Sequence, residues 1–187
     1  DTRTLTTTAT FATTGLVYSG QSVWNTNGNG SWGTFASGFG ANWGANQGSA
    51  GLDAAFANVD TATFDNTVLV TGATATVSLD GTAPSLKDIT FNTTGGGYTL
   101  DAGSGGALTL AAGSGNATVT ATAGNHTIAT DLTLSSATDT VVGTGAKLTL
   151  SGAVSGIHPP DLRQRYVAFV DDHQEIVWEI IEQAIRC

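Results

Sequence analysis

Three histidines, one cysteine and fifteen acidic residues are the groups in this sequence best suited to chemistry. His126, His158 and His173 are scattered, and no His/Cys/Asp spacing makes a zinc site. His173 falls on an apolar stripe, where a packed or interfacial imidazole is expected; the functional alternative is a pH-sensitive assembly contact. Asp53, Asp60 and Asp65 lie close enough in sequence to offer oxygens to Ca2+. They lack the spacing of a calcium loop and read as solvated turn residues. Polysaccharide cleavage draws on clustered carboxylates or basic groups. Residues 67–156 provide Asp80, Asp88, Asp101, Asp131 and Asp139 with Lys87 and Lys147, and neither Glu nor Arg. Hydroxyls are plentiful, but without a paired His they are inert as nucleophiles. Cys187 is the single cysteine and the last residue, so no internal disulfide forms, although a terminal thiol can join two chains. Asn29, Asn92, Asn116 and Asn125 sit in glycosylation sequons, which Gly/Ser/Thr-rich sequence produces by chance. The expectation is a protein without catalytic residues, metal site or cofactor.

Binding chemistry has one candidate. Trp24, Trp32 and Trp43 fall within twenty residues, interleaved with Asn and Gly, with Phe35, Phe39, Phe56 and Phe64 nearby. Exposed, they would form an aromatic platform for surface glycans. Buried, they would cap the open first coil of a repetitive β structure, because Trp buries a large area and free strand edges must be covered. The sequence favours the cap.

The elements that must position these residues are short strands. The 187 residues include 25 Gly and 32 Thr, both poor helix formers, so a long helical bundle is excluded for most of the chain. Six Lys plus Arg against 15 Asp plus Glu, a net charge of −9, excludes binding driven by nucleic-acid phosphates and disfavours anionic lipid. No apolar run reaches the ~18 residues of a membrane helix. Apolar pieces alternating with Thr recur at Thr67–Val70, Ala75–Leu79, Ile89–Phe91, Tyr98–Leu100, Leu108–Leu110, Thr118–Thr120, Thr127–Ala129, Leu132–Leu134, Thr140–Val142 and Leu148–Leu150. Period-two spacing with β-branched flanks is the strand signal, and the Gly-rich groups between pieces supply corners. Strands this short and closely repeated suit an all-β parallel solenoid better than an immunoglobulin-like sandwich, the alternative. The Leu-Thr-Leu copies at 108–110, 132–134 and 148–150 read as one coil position revisited.

Composition divides the chain. Residues 1–66 read as an aromatic N-terminal cap, residues 67–156 as solenoid coils, and residues 157–187 as a different unit. All three Glu lie in this last unit, and Pro159-Pro160 marks the join. Leu162, Tyr166, Phe169, His173, Ile176, Ile180 and Ala184 recur at helical spacing, and Val167, Val170, Val177, Ile181 and Ile185 adjoin them. A C-terminal amphipathic α-helical segment is predicted. Its apolar face must cover the last coil or pair with copies of itself. Tyr166, Phe169, Val170, Ile176, Val177, Ile180 and Ile181 are its candidate assembly residues.

Trp24–Trp43 followed by Asp60-Thr61-Ala62-Thr63-Phe64 resembles the opening of the autotransporter-associated β-strand repeat proteins. Leu86-Lys87-Asp88-Ile89-Thr90-Phe91-Asn92, Gly97-Tyr98-Thr99-Leu100, Leu108-Thr109-Leu110 and Leu148-Thr149-Leu150-Ser151-Gly152 are similar to that repeat's phrases. The resemblance spans about residues 20–156. It implies a right-handed parallel β-helix of bacterial origin, secreted or displayed at the cell surface, structural or adhesive, with no common catalytic residues to transfer. The family often ends in a translocating barrel or a sorting signal, and neither is found here. With no Met at residue 1, a processed passenger, fragment or engineered piece is expected. The expected role is a rigid surface segment or filament subunit that self-associates through its C-terminal helix or solenoid ends; the alternative is a glycan-binding adhesin using Trp24, Trp32 and Trp43.

Overall fold

A computed structural model describes residues 20–33, 42–44, 48–52 and 58–156, together with the backbone of Phe35–Ala36 and Phe39–Gly40. These residues form an all-β solenoid of about four turns, built from parallel sheets. The first sheet stacks Gln21–Val23, Thr61–Asp65, Asp88–Asn92, Ala117–Ala123 and Thr138–Val142. The second stacks Gly30–Ser31, Thr74–Ser78, Gly97–Asp101, Asn125–Ile128 and Lys147–Leu150. The third stacks Ser85–Leu86, Leu108–Leu110, Leu132–Leu134 and Val154–Gly156. The chain visits the sheets in turn, so five rungs enclose one core. Phe35–Ala36 and Phe39–Gly40 make a small antiparallel pair outside them.

The alternation in the sequence becomes an inside and an outside. In Thr61–Asp65, Ala62 and Phe64 are buried while Thr61, Thr63 and Asp65 are partly exposed. The same parity brings Ile89 and Phe91, then Val119 and Ala121, onto Ala62 and Phe64. Val77, Leu100 and Ile128 stack in the second sheet, and Leu86, Leu110 and Leu134 in the third. Each buried Leu, Ile or Phe contributes about 1.5–3 kcal/mol. Outside, Thr76, Thr99, Thr127 and Thr149 stand in register on four successive rungs, where β-branched side chains pack well on a pleated surface.

Coil length varies. Thr118 pairs with Asp139, 21 positions on, whereas Ile89 pairs with Val119, 30 positions on. Corners absorb the difference, because only the strands need to match their neighbours.

Two expectations need correction. Leu108–Leu110 and Leu132–Leu134 do occupy one coil position, but Leu148–Leu150 does not: it pairs with Asn125–Ile128 in the second sheet, and Val154–Gly156 follows Leu132–Leu134. Similar words occur in different sheets because each sheet asks for the same inward Leu and outward Thr. Thr67–Val70 is a turn rather than a strand. Asp65 Oδ1 accepts from Thr67 N–H at 2.7 Å and Asn66 Nδ2 donates to the Leu69 carbonyl at 2.9 Å, which bends the chain at once. Gln21–Val23 and Thr61–Asp65, from the stretch read as an N-terminal cap, pair in parallel and lead into Asp88–Asn92. The predicted C-terminal helical segment and its candidate assembly residues lie outside the described residues.

Candidate functional site

The chain leaves the first rung after Ser31 and rejoins the first sheet at Thr61, and this excursion brings the tryptophans together. Asn25 N–H donates to the Asn42 carbonyl and Gly44 N–H to the Val23 carbonyl, both at 2.8 Å, laying Trp43 antiparallel beside Trp24. The rings of Trp24 and Trp43 meet edge to face at 5.3 Å, and those of Trp32 and Trp43 at 4.9 Å. Indole N–H groups of Trp32 and Trp43 donate to the carbonyls of Ala50 and Trp32, each at 2.9 Å. Trp24 and Trp32 are 0% exposed and Trp43 2%. The sequence places these residues at one end of the solenoid, and the fold packs them inside it. None of the three offers a face on which a sugar can stack.

Below them runs a column of rings. Phe64 touches all three tryptophans and stacks on Phe91 at 5.3 Å. Phe91 stacks on His126 at 4.6 Å. Tyr98 N–H donates to His126 Nδ1 at 3.1 Å, so Nδ1 is an acceptor and carries no proton. The remaining proton is on Nε2, which lies 2.8 Å from the Ala123 carbonyl and 3.4 Å from Thr93 Oγ1. His126 is neutral here: burial holds its pKa below the ordinary value, and the hydrogen bond to Ala123 offsets this only in part. Tyr98 is shifted the other way, its phenol raised by burial and by the Asp65 charge, while its OH donates to the Asp65 carbonyl at 3.0 Å.

The carboxylates serve the backbone. Asp60 is fully buried; its Oδ1 accepts from Gly20 N–H at 2.8 Å and its Oδ2 from Gly51 N–H at 3.1 Å. Asp80 accepts from Ser31 Oγ at 2.6 Å and Ser104 N–H at 3.0 Å, joining three successive coils at a corner. The Ser31 hydroxyl, then the Ser104 amide, lower its pKa. Asp131 accepts from Ala153 N–H at 3.0 Å, and Asp139 from Asn116 Nδ2 at 2.9 Å. Asn29 and Asn66 likewise accept from the amides of Thr76 and Thr94, one coil further on. Lys87 and Asp88 make an exposed ion pair at 3.8 Å, a geometry that contributes little.

Of the Ca2+ candidates, Asp60 and Asp65 are engaged with backbone N–H groups, and Asp53 lies outside the described residues, as do His158 and His173. Among the described residues no three His, Cys, Asp or Glu side chains converge as metal ligands would. What the polar groups can do together is hold coil to coil. Sequence reasoning missed this role, because most of these partners are backbone amides, and all lie on a distant segment. Replacing Asp60 by Ala should orphan two N–H groups at roughly 1–3 kcal/mol each, lowering the urea midpoint at unchanged m-value. Asp60→Asn, which keeps one acceptor oxygen, should cost less.

These features define a parallel β-solenoid in which Asp60, Asp80, Asp131 and His126 accept from backbone amides of neighbouring segments. Compared with known proteins, the chain matches no family model, no curated protein and no solved structure.

Proposed function

We propose that this chain is a non-enzymatic structural protein: a rigid, right-handed β-solenoid segment of a surface-displayed bacterial passenger, or the subunit of a self-assembling extracellular filament. One observation carries the reading. Buried Asp60 and His126, and Asp80 and Asp131 at the corners, bind backbone amides of neighbouring segments, which serves rigidity rather than a substrate. The sequence resemblance to autotransporter-associated repeats adds the surface setting. Glycan binding through Trp24, Trp32 and Trp43 is the weaker reading, since their rings are buried.

The assembly element is residues 157–187. Val141 and Val154 on the last rung are 51% and 41% exposed, and the chain continues from this rung into the apolar stripe of Tyr166, Phe169, Val170, Ile176, Val177, Ile180 and Ile181. Electron microscopy of the purified chain should show rods or defined oligomers, and deleting residues 158–187 should change the sedimentation coefficient beyond the loss of mass. Monomers before and after deletion would remove self-assembly from the proposal. Turnover of an acidic polysaccharide would overturn its non-enzymatic part.

A further inference from the structure

The fourth coil turns from the first sheet into the second with almost no loop: only Gly124 separates Ala117–Ala123 from Asn125–Ile128. The corner is irregular. The pairing of Ala117–Ala123 with Asp88–Asn92 shifts register between Ala121 and Ala123. Gly124 lies so close to Thr93 that a Cβ there would overlap the threonine's Oγ1. His126 fills the inside of this corner, 1% exposed. Through Nε2–H it holds the Ala123 carbonyl of its own coil, and through Nδ1 it holds the Tyr98 amide of the coil before.

We propose that His126 is an acid-sensitive latch that ties the third and fourth coils together only while its ring is neutral. The balance of donors and acceptors decides this. An imidazolium carries a proton on both nitrogens. Protonating Nδ1 sets an N–H against the Tyr98 N–H, so a buried donor loses its acceptor and a charge is left stacked on Phe91. No carboxylate among the described residues faces the ring to compensate. Its inward neighbours in the stack are Tyr98, whose hydroxyl is committed to the Asp65 carbonyl, and Leu148. Asp88, Asp101, Asp139 and Lys147 lie on the strands around it, at positions that alternate with the inward ones.

The pH window follows. Burial holds the folded imidazole below its ordinary value of 6.5. Above that value both folded and unfolded chains carry a neutral ring, and His126 contributes no pH dependence. Below it the unfolded chain takes up a proton that the folded chain refuses. The folding constant then falls by up to about tenfold per pH unit, until the folded ring itself is protonated.

The test compares urea unfolding at pH 7.5 and pH 5.0 for the full chain and for His126→Asn, whose amide oxygen can accept from Tyr98 without titrating. The native chain should lose about tenfold or more in folding constant between the two pH values, and His126→Asn threefold at most. Equal losses would overturn the latch. Should His126→Asn fail to fold, imidazole 15N shifts of the native chain decide, with His158 and His173 identified by their own substitutions. An unprotonated Nδ1 and protonated Nε2 that persist below pH 6.5 support the latch. The opposite tautomer, or ordinary titration at 6.5, would overturn it.

Discussion

Replacing Phe64 by Ala should destabilise the protein by about 3–5 kcal/mol. Phe64 is fully buried and joins two groups of rings that otherwise touch little. On one side its ring lies 6.1 Å from that of Trp24 and 5.8 Å from those of Trp32 and Trp43. On the other it lies 5.3 Å from Phe91 and 5.3 Å from Tyr98. Truncation therefore removes the transfer energy of one benzyl group and leaves a cavity walled by five rings. These large neighbours are themselves fixed, Trp32 and Trp43 by their indole hydrogen bonds, so the cavity will not collapse fully. Nearest-neighbour coupling carries solenoid stability from coil to coil, so the first coil should also be uncoupled from the rest. In urea, tryptophan emission should shift red before the β signal in circular dichroism is lost, whereas the unsubstituted chain should show one coincident transition. Val70→Ala, at an exposed site, should stay within about 0.5 kcal/mol. A Phe64→Ala cost below about 1 kcal/mol would mean that the column and the tryptophan cluster do not share a core.

The strands were legible where two conditions met: alternation of an apolar residue with Thr, and a Gly-rich break on either side. Tyr98–Leu100 and Leu108–Leu110 satisfy both, and each lies within an observed strand; Ile89–Phe91 and Leu132–Leu134 show the alternation without a Gly-rich break on both sides, and are strands as well. The stacking order was not legible, because Leu-Thr-Leu suits any of the three sheets. Gln21–Val23 and Gly30–Ser31 escaped notice for another reason. They are only three and two residues long, and the excursion that follows hides their kinship with Thr61–Asp65 and Thr74–Ser78. Asp60 gave no signal, since its acceptors serve amides at positions 20 and 51 and local pattern says nothing of either. His126 did leave a trace. In Asn125–Ile128 it shares parity with Ile128, and Thr127 takes the opposite face, so alternation alone places the imidazole inside.

Gly97→Ala should be the most damaging addition of a single methyl, at roughly 3 kcal/mol or more. Gly97 opens the Gly97–Asp101 strand and is held from both sides. Its N–H donates to the Ala73 carbonyl of the preceding coil at 3.0 Å, and the adjoining Gly96 carbonyl accepts from Asn125 N–H of the following coil at 2.8 Å. A Cβ at Gly97 would overlap the backbone carbonyl of Asn125. The obstacle is main chain, so no rotamer change relieves it. The third and fourth coils must part locally, stretching the Gly96–Asn125 bond and, one residue on, the contact between Tyr98 N–H and His126. Gly115→Ala separates this effect from the general cost of replacing a corner glycine. Gly115 has φ +71°, and a methyl added there would meet nothing within 4 Å, so only left-handed strain of about 1–2 kcal/mol applies. Urea midpoints of the two variants decide between the causes. If Gly97→Ala costs no more than Gly115→Ala, the two coils are not packed backbone against backbone, and the tight rung spacing on which the His126 latch depends fails with it.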